Sequence, residues 1–441
     1  MGSVSPQDLS RPEINQLRSC DRAAHDWYRF VLSFPAHLVQ EYLNKFAIGA
    51  DQTMLDPFCG TGTTVVEGKK LGIASVGVEA NPMAWFAGSV KLDWTPDPVE
   101  LLHQAAQVTD RATAVMQQET ELRELSEEAS KLLLKNSISP RPLHKLLVLR
   151  EVLDGLDKLE PGGDRAVDRH LKLALARTAV SDVSNLYFGP EVGVGKAKED
   201  ADVVGVWLDR VQAMAEDLQY LKTLPSVAAT VHHGDSRNIL PLLAPQSIDT
   251  IITSPPYPNE KDYTRTTRLE SVLLGFLQTK ADLRSLKQGL LRSNTRNVYA
   301  ADQDDQWVSK HPEIQRIAQE IEQRRIDLNK TSGFERLYHR AVKLYFGGMA
   351  KHLADLRTVL RPGAQLAYVV GDQKSYLQVM IRTGELLANV AEGLGYEVMG
   401  IDLFRTRIAT ATKEQMREEV VLLRWPGTFP DRPYPYSDRP L

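Results

Sequence analysis

The residues best suited to chemistry in this 441-residue chain are Ser254, Pro255, Pro256 and Tyr257, which directly follow Thr253. They set a hydroxyl, two ring-locked peptide units with free carbonyls and an aromatic ring side by side. Neither proline has an N–H to donate, so the pair ends a β-ladder and fixes the backbone. Such a turn offers hydrogen-bond acceptors and a stacking surface. A second group, Asp56-Pro57-Phe58-Cys59-Gly60-Thr61-Gly62-Thr63, is a glycine-rich loop. It is not a phosphate loop, because no Gly-Lys-Ser/Thr follows at the required spacing. It is a poor dinucleotide fingerprint, because Gly60-x-Gly62 lacks the third glycine that lets a helix pack closely on its strand.

Both groups need a sheet edge to hold them. Ile248-Asp249-Thr250-Ile251-Ile252 reads as a short buried strand rich in β-branched residues, ending at the proline turn. Thr53-Met54-Leu55-Asp56 reads as a strand feeding the glycine loop, with a helix from about Val65 to Leu71 stopped by Gly72. Ser75–Glu79 is the next strand and ends at an acid before Asn81-Pro82. Strand, turn, helix, strand is one unit of a doubly wound α/β sheet, which puts its chemistry at the strands' carboxyl ends. From 96 to 224 the pattern turns helical, as in Leu101, Ala105, Val108 and Leu122, Leu125, Ala129, Leu132. Pro140, Pro142, Gly162-Gly163 and Gly189–Gly195 punctuate this helical insertion. The sheet resumes at Thr230–His233, which runs into Gly234-Asp235-Ser236-Arg237. A polar insertion spans 258–340. Leu360–Gly363 reads as a turn before strand Ala364–Val370, and Tyr396–Phe404 with Glu419–Trp425 as a closing antiparallel pair. Pro35 suits the first turn of a helix reaching Phe46. The core is thus expected over 27–95 and 225–426, with a polar lead-in over 1–26 and an irregular tail over 427–441.

Composition sets the bounds. Hydrophobic residues at 42% and charged residues at 25% are ordinary for a globular protein. No run of about 18 apolar residues is present, so no membrane span is expected. Met1–Ser5 has no basic-then-apolar leader pattern. Cys20 and Cys59 are the only cysteines, which excludes a disulfide scaffold and a cysteine-based zinc site. A cytoplasmic protein without a metal is expected. The formal charge of −4 gives no global attraction to nucleic acid, so any such contact needs a local basic patch.

Asp56–Thr63 matches in full the Asp-Pro-Phe-x-Gly-x-Gly-Thr motif of the amino-methyltransferases, and Ser254–Tyr257 resembles their catalytic Ser-Pro-Pro-Tyr. These enzymes methylate an exocyclic nitrogen of a base. The resemblance covers the sheet and its loops; the two insertions match no family pattern. It implies a Rossmann-like fold with a mostly parallel seven-stranded sheet and helices on both faces. It implies S-adenosyl-L-methionine (SAM) as methyl donor, held by Phe34, by Asp56, Pro57, Phe58, Cys59, Gly60, Thr61, Gly62 and Thr63, by Glu79 with Ala80 and Asn81, and by Asp235. Ser254, Pro255, Pro256 and Tyr257 are then the catalytic turn. Serine at its first position is the usual choice of cytosine-N4 enzymes. Asp or Asn is more usual in adenine-N6 enzymes and in guanosine-N2 RNA enzymes. Donor loop before catalytic turn is the reverse of the order commonest among cytosine-N4 enzymes. A catalytically silent nucleic-acid-binding subunit is the reading from another class, and the intact loop and turn speak against it.

For the substrate side, Lys261 to Arg296 holds eight basic and three acidic residues, a local balance of 8 − 3 = +5. Tyr263, Arg265 and Arg268, next to the catalytic turn, are expected to contact substrate. Arg405 and Arg407 are further phosphate candidates, and the helical insertion 96–224 is the other candidate for target recognition. Double-stranded DNA is the expected partner. A restriction endonuclease follows from the family resemblance, and an orphan regulatory methyltransferase fits the residues equally well; oligomeric state is open.

Overall fold

The computed structural model describes residues 15–29, 33–159, 165–189, 191–408, 414–429 and 433–437. Met1–Ser5, Gly162-Gly163 and parts of the tail (430–432 and 438–441) therefore lie outside the described residues. Strands β1 (Thr53–Asp56) and β2 (Ala74–Glu79) come first, followed by a separate hairpin of β3 (Leu186–Phe188) and β4 (Val192–Val194). β5 (Ala229–His233), β6 (Ile248–Thr253), β7 (Leu360–Gly371), β8 (Glu397–Ile408) and β9 (Gln415–Arg424) complete the set. The main sheet has seven strands in the order β5-β2-β1-β6-β7-β9-β8. The first five are parallel, while β9 runs antiparallel to both β7 and β8.

The order reverses between β1 and β6. From β1 the chain winds outward through β2 to β5; from β6 it winds the other way through β7. The crevice at such a switch point is where a doubly wound sheet binds ligands. Met54 lies opposite Thr250 and Leu55 opposite Ile251. The segments after Asp56 and after Thr253 therefore leave the sheet as neighbours, although 196 residues separate Thr53 from its hydrogen-bond partner Asp249.

Side chains alternate between two faces with period two. Leu55, Ile251, Leu366, Tyr368 and Val370 join one apolar cluster. It is filled by α11 (Pro312–Asp327), α12 (Tyr338–Val359) and α13 (Thr383–Gly393). Met54, Ile252, Ala367 and Val369 face the other way onto α1 (Ala36–Lys45). On that side, α2 (Thr63–Lys70) is tied down by Thr64 Oγ1 donating to the Ile252 carbonyl at 3.0 Å. α3 (Pro82–Lys91) starts after Asn81, whose Oδ1 accepts the Met83 amide at 3.0 Å, with Pro82 in the first turn.

The helical insertion is built from α4 (Pro98–Gln118), α5 (Glu127–Ser130), α6 (Pro140–Leu159), α7 (Arg165–Thr178) and α8 (Val203–Leu221). It is no detached module: Leu101, Leu149, Leu171 and Trp207 share one buried cluster with Val65 of α2 and with Met83 and Phe86 of α3. Three boundaries differ from expectation. The glycine-punctuated segment near 189–195 forms the β3–β4 hairpin, where a glycine was expected only to break helices. Tyr187 explains Gly193, since a Cβ there would meet the Tyr187 ring at 2.4 Å. Leu360–Gly363 is the irregular start of β7 rather than a turn before it, because Leu360 pairs with Ile248 before the register shifts. α12 begins at Tyr338, inside the expected polar insertion, which also carries α9 (Arg268–Leu273) and α10 (Lys280–Gly289). Among the described residues no helix is long and apolar enough to cross a membrane, and no group of side chains could hold a metal ion.

Candidate active site

The glycine loop bends away from β1 through Gly60 at φ +53° and Gly62 at φ +90°, conformations that L side chains rarely adopt. A Cβ on Gly62 would sit 3.2 Å from the Gly88 backbone, so the loop passes hard against α3. At Gly60 a Cβ would meet nothing within 4 Å, because that side faces open space. The space is a cavity of about 600 Å³ lined by Phe34, Pro57, Phe58, Cys59, Gly60, Thr61 and Thr63 at one end. Its other end is lined by Ser254, Pro255, Pro256, Tyr257 and Tyr263. Donor loop and proline turn share one chamber.

Asp56 joins the two loops. It is fully buried, and its Oδ1 accepts both the Thr253 hydroxyl at 2.6 Å and the Phe58 amide at 3.1 Å. Burial pushes its carboxyl up to about 6, against the hydrogen bond from Thr253. Asp56 and Gly62 thus shape the loop from behind and do not line the cavity.

Glu79 lines it. The Gly60 and Asn81 amides each donate to its carboxylate at 2.7 Å. Burial pushes this carboxyl up to about 7, although the two amides favour the charged form. Ala80 and Asn81 line the cavity too, but the Asn81 side chain is occupied: it caps α3 and its Nδ2 donates to Thr267 Oγ1 at 3.0 Å. Asp235 is also in the lining, with both oxygens held by Arg237 at 2.7 to 3.2 Å. The Arg237 guanidinium reaches on to Asp304 at 2.6 Å. The aromatic ring of Phe58 meets His352 edge-on, with centroids 4.8 Å apart.

At the other end, the Ser254 hydroxyl donates to the Val369 carbonyl at 3.1 Å. Its proton is thereby committed to the neighbouring strand, and the oxygen, on a residue that lines the cavity beside the Tyr257 hydroxyl, keeps capacity to accept. The Tyr257 amide donates to the Tyr263 hydroxyl at 3.2 Å, so it is turned away from the carbonyls of the turn. Tyr257 packs against Gly371, where a Cβ would lie 3.1 Å from its ring. Burial, and then Glu418, push the Tyr257 hydroxyl up, so it stays neutral.

The expected substrate cations divide. Arg265 and Arg268 lie outside the lining. Arg265 reaches Glu191 of the hairpin at 3.5 Å, and Arg268 donates to Thr264 and to the Leu132 carbonyl, bracing the helical insertion against the core. Within the basic segment, Lys287 pairs with Asp262 at 2.8 Å and Arg292 with Asp302 at 2.9 Å. Asp262 is already subtracted in the +5; of the remaining charge, Arg292 and Arg265 are met by acids outside the segment, Asp302 and Glu191. Lys261, Arg405 and Arg407 do line the cavity; both arginines sit within β8 and share Glu418 as partner. The sequence reading missed Glu191, Gln373 and Phe404, which also line it. Gln373 follows a strand end, a signal of the same kind as Ser254. Glu191 comes from the hairpin and carries no local signal.

A family model for N6/N4 methyltransferases, described as "DNA methylase", matches residues 12–84, which include the glycine loop and Glu79. The Type II methyltransferase M.BsoBI of Geobacillus stearothermophilus is 24% identical, over 97% of this chain and 89% of that protein. The Type II methyltransferase M.AvaI of Nostoc sp. is 23% identical, over 95% of this chain and 90% of that protein. A solved structure, the rRNA methyltransferase aviRa from Streptomyces viridochromogenes, overlaps with a TM-score of 0.31 at 10% identity, covering 97% and 95% of the two chains; so loose an overlap bears no weight. Alignment along the chain's length with Type II methyltransferases, and the match of the N6/N4 model to a segment that includes the glycine loop, support an amino-methyltransferase of the N4/N6 type with SAM as methyl donor.

Proposed function

We propose that this chain is a site-specific DNA methyltransferase that moves the SAM methyl group to an exocyclic amino nitrogen of a flipped base, with cytosine N4 as the target. The observation carrying this reading is Ser254: its hydroxyl proton is spent on Val369, and the residue lines the chamber that the glycine loop also lines. The names of the relatives, Type II methyltransferases, support DNA as substrate and a restriction–modification setting with an endonuclease partner. A cytoplasmic location goes with that reading.

The residues present fit the donor. Gly60 leaves open space where a side chain would block it, and Glu79 offers a carboxylate to paired hydroxyls of a ribose. Phe34, Pro57, Phe58, Cys59, Thr61 and Thr63 would line its path, with Asn81 and Asp235 beside the base. Bound there, SAM supplies a methyl group on a cationic sulfur.

A cytosine amino group is a poor nucleophile because its lone pair is delocalised into the ring. Ser254 Oγ and the Pro255 carbonyl would accept its two N–H bonds and draw the nitrogen toward a tetrahedral shape, freeing the lone pair. Those N–H groups become stronger donors as the nitrogen gains positive charge, so the two acceptors act most strongly in the transition state. Pro256 has no N–H to compete, and Tyr257 would stack on the extruded base. Lys261, Arg405 and Arg407 are the cations placed to meet the flanking phosphates, and Tyr263 holds the turn. The hairpin tip at Glu191 supports a share for the helical insertion in target recognition, beside the 258–340 segment.

Incubation with methyl-labelled SAM and either DNA or total RNA, followed by nucleoside digestion, tests this directly. N4-methylcytosine from DNA is the expected product. N6-methyladenine would overturn the choice of base, and label confined to RNA would overturn the choice of nucleic acid. Lys261 has no ion-pair partner in range among the described residues, so Lys261→Met should break no internal ion pair, losing only longer-range attraction to Glu418 and Glu191. It should weaken DNA binding and lower the salt-dependence slope by about one, as loss of one phosphate contact does. An unchanged slope would place the DNA elsewhere.

A further inference from the structure

A small pocket opens behind the glycine loop and shares Ser33, Phe34, Thr61 and Thr63 with the main cavity. Its wall includes three basic side chains, His25, Arg29 and Lys91. His25 is spoken for: its Nε2 bonds Glu67 at 2.7 Å, and burial holds its ring down at about 4, so it is neutral. Arg29 is half exposed, with Asp26 at 3.9 Å. Lys91 differs from both. It is 2% exposed, and its Nζ donates to the Thr61 carbonyl at 3.0 Å with no carboxylate in ion-pair range among the described residues. A buried ammonium without a counter-charge is costly, and a fold does not gain stability from it.

We propose that Lys91, in the last turn of α3, is the cation that pairs with the carboxylate of the SAM methionine moiety. The inference rests on the cavity being the donor site. The carboxylate is the donor's one anionic group, and this pocket is the part of the donor half of the cavity that carries buried positive charge. The start of α2 points the same way. Gly62 caps that helix without a side chain, so its first amides are left without side-chain acceptors. Charges around Lys91 agree with an absent anion: burial, then Arg177 of α7, push its ammonium down to about 7, with Cys59 opposing them, a smaller push from Arg29 and the least opposition from Asp26. A carboxylate between Lys91 and the α2 amides would offset both positive neighbours. The Thr61 carbonyl would keep its bond, since an ammonium has three N–H donors.

Calorimetric binding of SAM, and of SAM lacking its carboxylate, to the full chain tests the assignment. The wild-type protein should bind the decarboxylated form about 10- to 100-fold more weakly, the range of a charge-assisted hydrogen bond. Lys91→Met should lose most of that factor for SAM and leave the decarboxylated form unchanged, so that only the smaller preference supplied by the α2 amides remains. Its thermal midpoint should be unchanged or higher, since a buried charge has been removed. Lys91→Gln keeps a donor for the Thr61 carbonyl but no charge, and should behave as Lys91→Met does even if the latter folds poorly. Equal weakening of both ligands would mean that Lys91 only braces the loop, and overturns the proposal. Undiminished discrimination in either variant overturns it as well, as does a wild-type protein that binds both forms equally. A wild-type protein that binds neither ligand would instead remove the donor-site reading on which the proposal stands.

Discussion

Ser254→Ala should lower kcat by about 100-fold or more while leaving the SAM dissociation constant within about twofold, because one preorganised partner of the developing charge is lost. The hydroxyl is fixed by its bond to the Val369 carbonyl, so its oxygen is an acceptor before any substrate arrives. No reorganisation is then needed at the moment of transfer. Alanine removes the acceptor and leaves the carbonyl of buried Val369 without that donor, a loss of stability of about 1 kcal/mol. Single-turnover methylation of an oligonucleotide gives the rate, and calorimetry gives the donor affinity. A variant that changes KM alone would mean Ser254 binds the base equally in ground and transition states. Donor affinity falling with the rate would mean that the turn shapes the donor half of the chamber through Thr253 and Asp56.

That last link shows why so much of the site was legible. Gly60, Gly62 and the two prolines act on their own backbone, so their consequences follow from local chemistry and survive any change in packing. The strands carrying them announce themselves by β-branched and apolar runs, and the parallel order follows from the alternation with helices. Reading failed where a residue's partner lies far along the chain. The basic segment was counted over 261–296, yet Asp302, which neutralises Arg292, falls just outside that window. Arg268 has the composition of a phosphate contact and is turned instead to the Leu132 carbonyl. Glu191 reaches the chamber from a hairpin whose glycines, read alone, signalled only a break. The pairing of Leu360 with Ile248 was hidden because Pro362-Gly363 has the chemistry of a turn, and the register shift that absorbs it is a tertiary fact.

Gly347 reverses an ordinary rule in the same way. It lies inside α12, where glycine to alanine normally stabilises a helix by about 1 kcal/mol. Here a Cβ would sit 1.8 Å from the Asp304 carbonyl oxygen and 2.5 Å from its carbon, both backbone atoms. The 3-10 turn Asp304–Val308 crosses α12 at that glycine, and it cannot stay where it is. Gly347→Ala is therefore expected to destabilise the protein by about 3 kcal/mol, at the upper end of overpacking costs. The damage should reach the donor site, because Asp304 holds Arg237, and Arg237 holds Asp235 in the cavity wall. Pulling Asp304 away leaves a buried guanidinium with one partner instead of two. Gly348→Ala is the matched control: its Cβ would meet the end of the Leu291 side chain, which can rotate aside, so a change below about 1 kcal/mol is expected. Urea denaturation of both variants separates the cases, and calorimetry with SAM reads the second effect. Equal stability of the two variants would mean that the 304–308 turn does not press on α12. A Gly347→Ala protein that is unstable yet binds SAM normally would mean that the Asp304–Arg237–Asp235 chain supports the fold without shaping the donor end of the chamber.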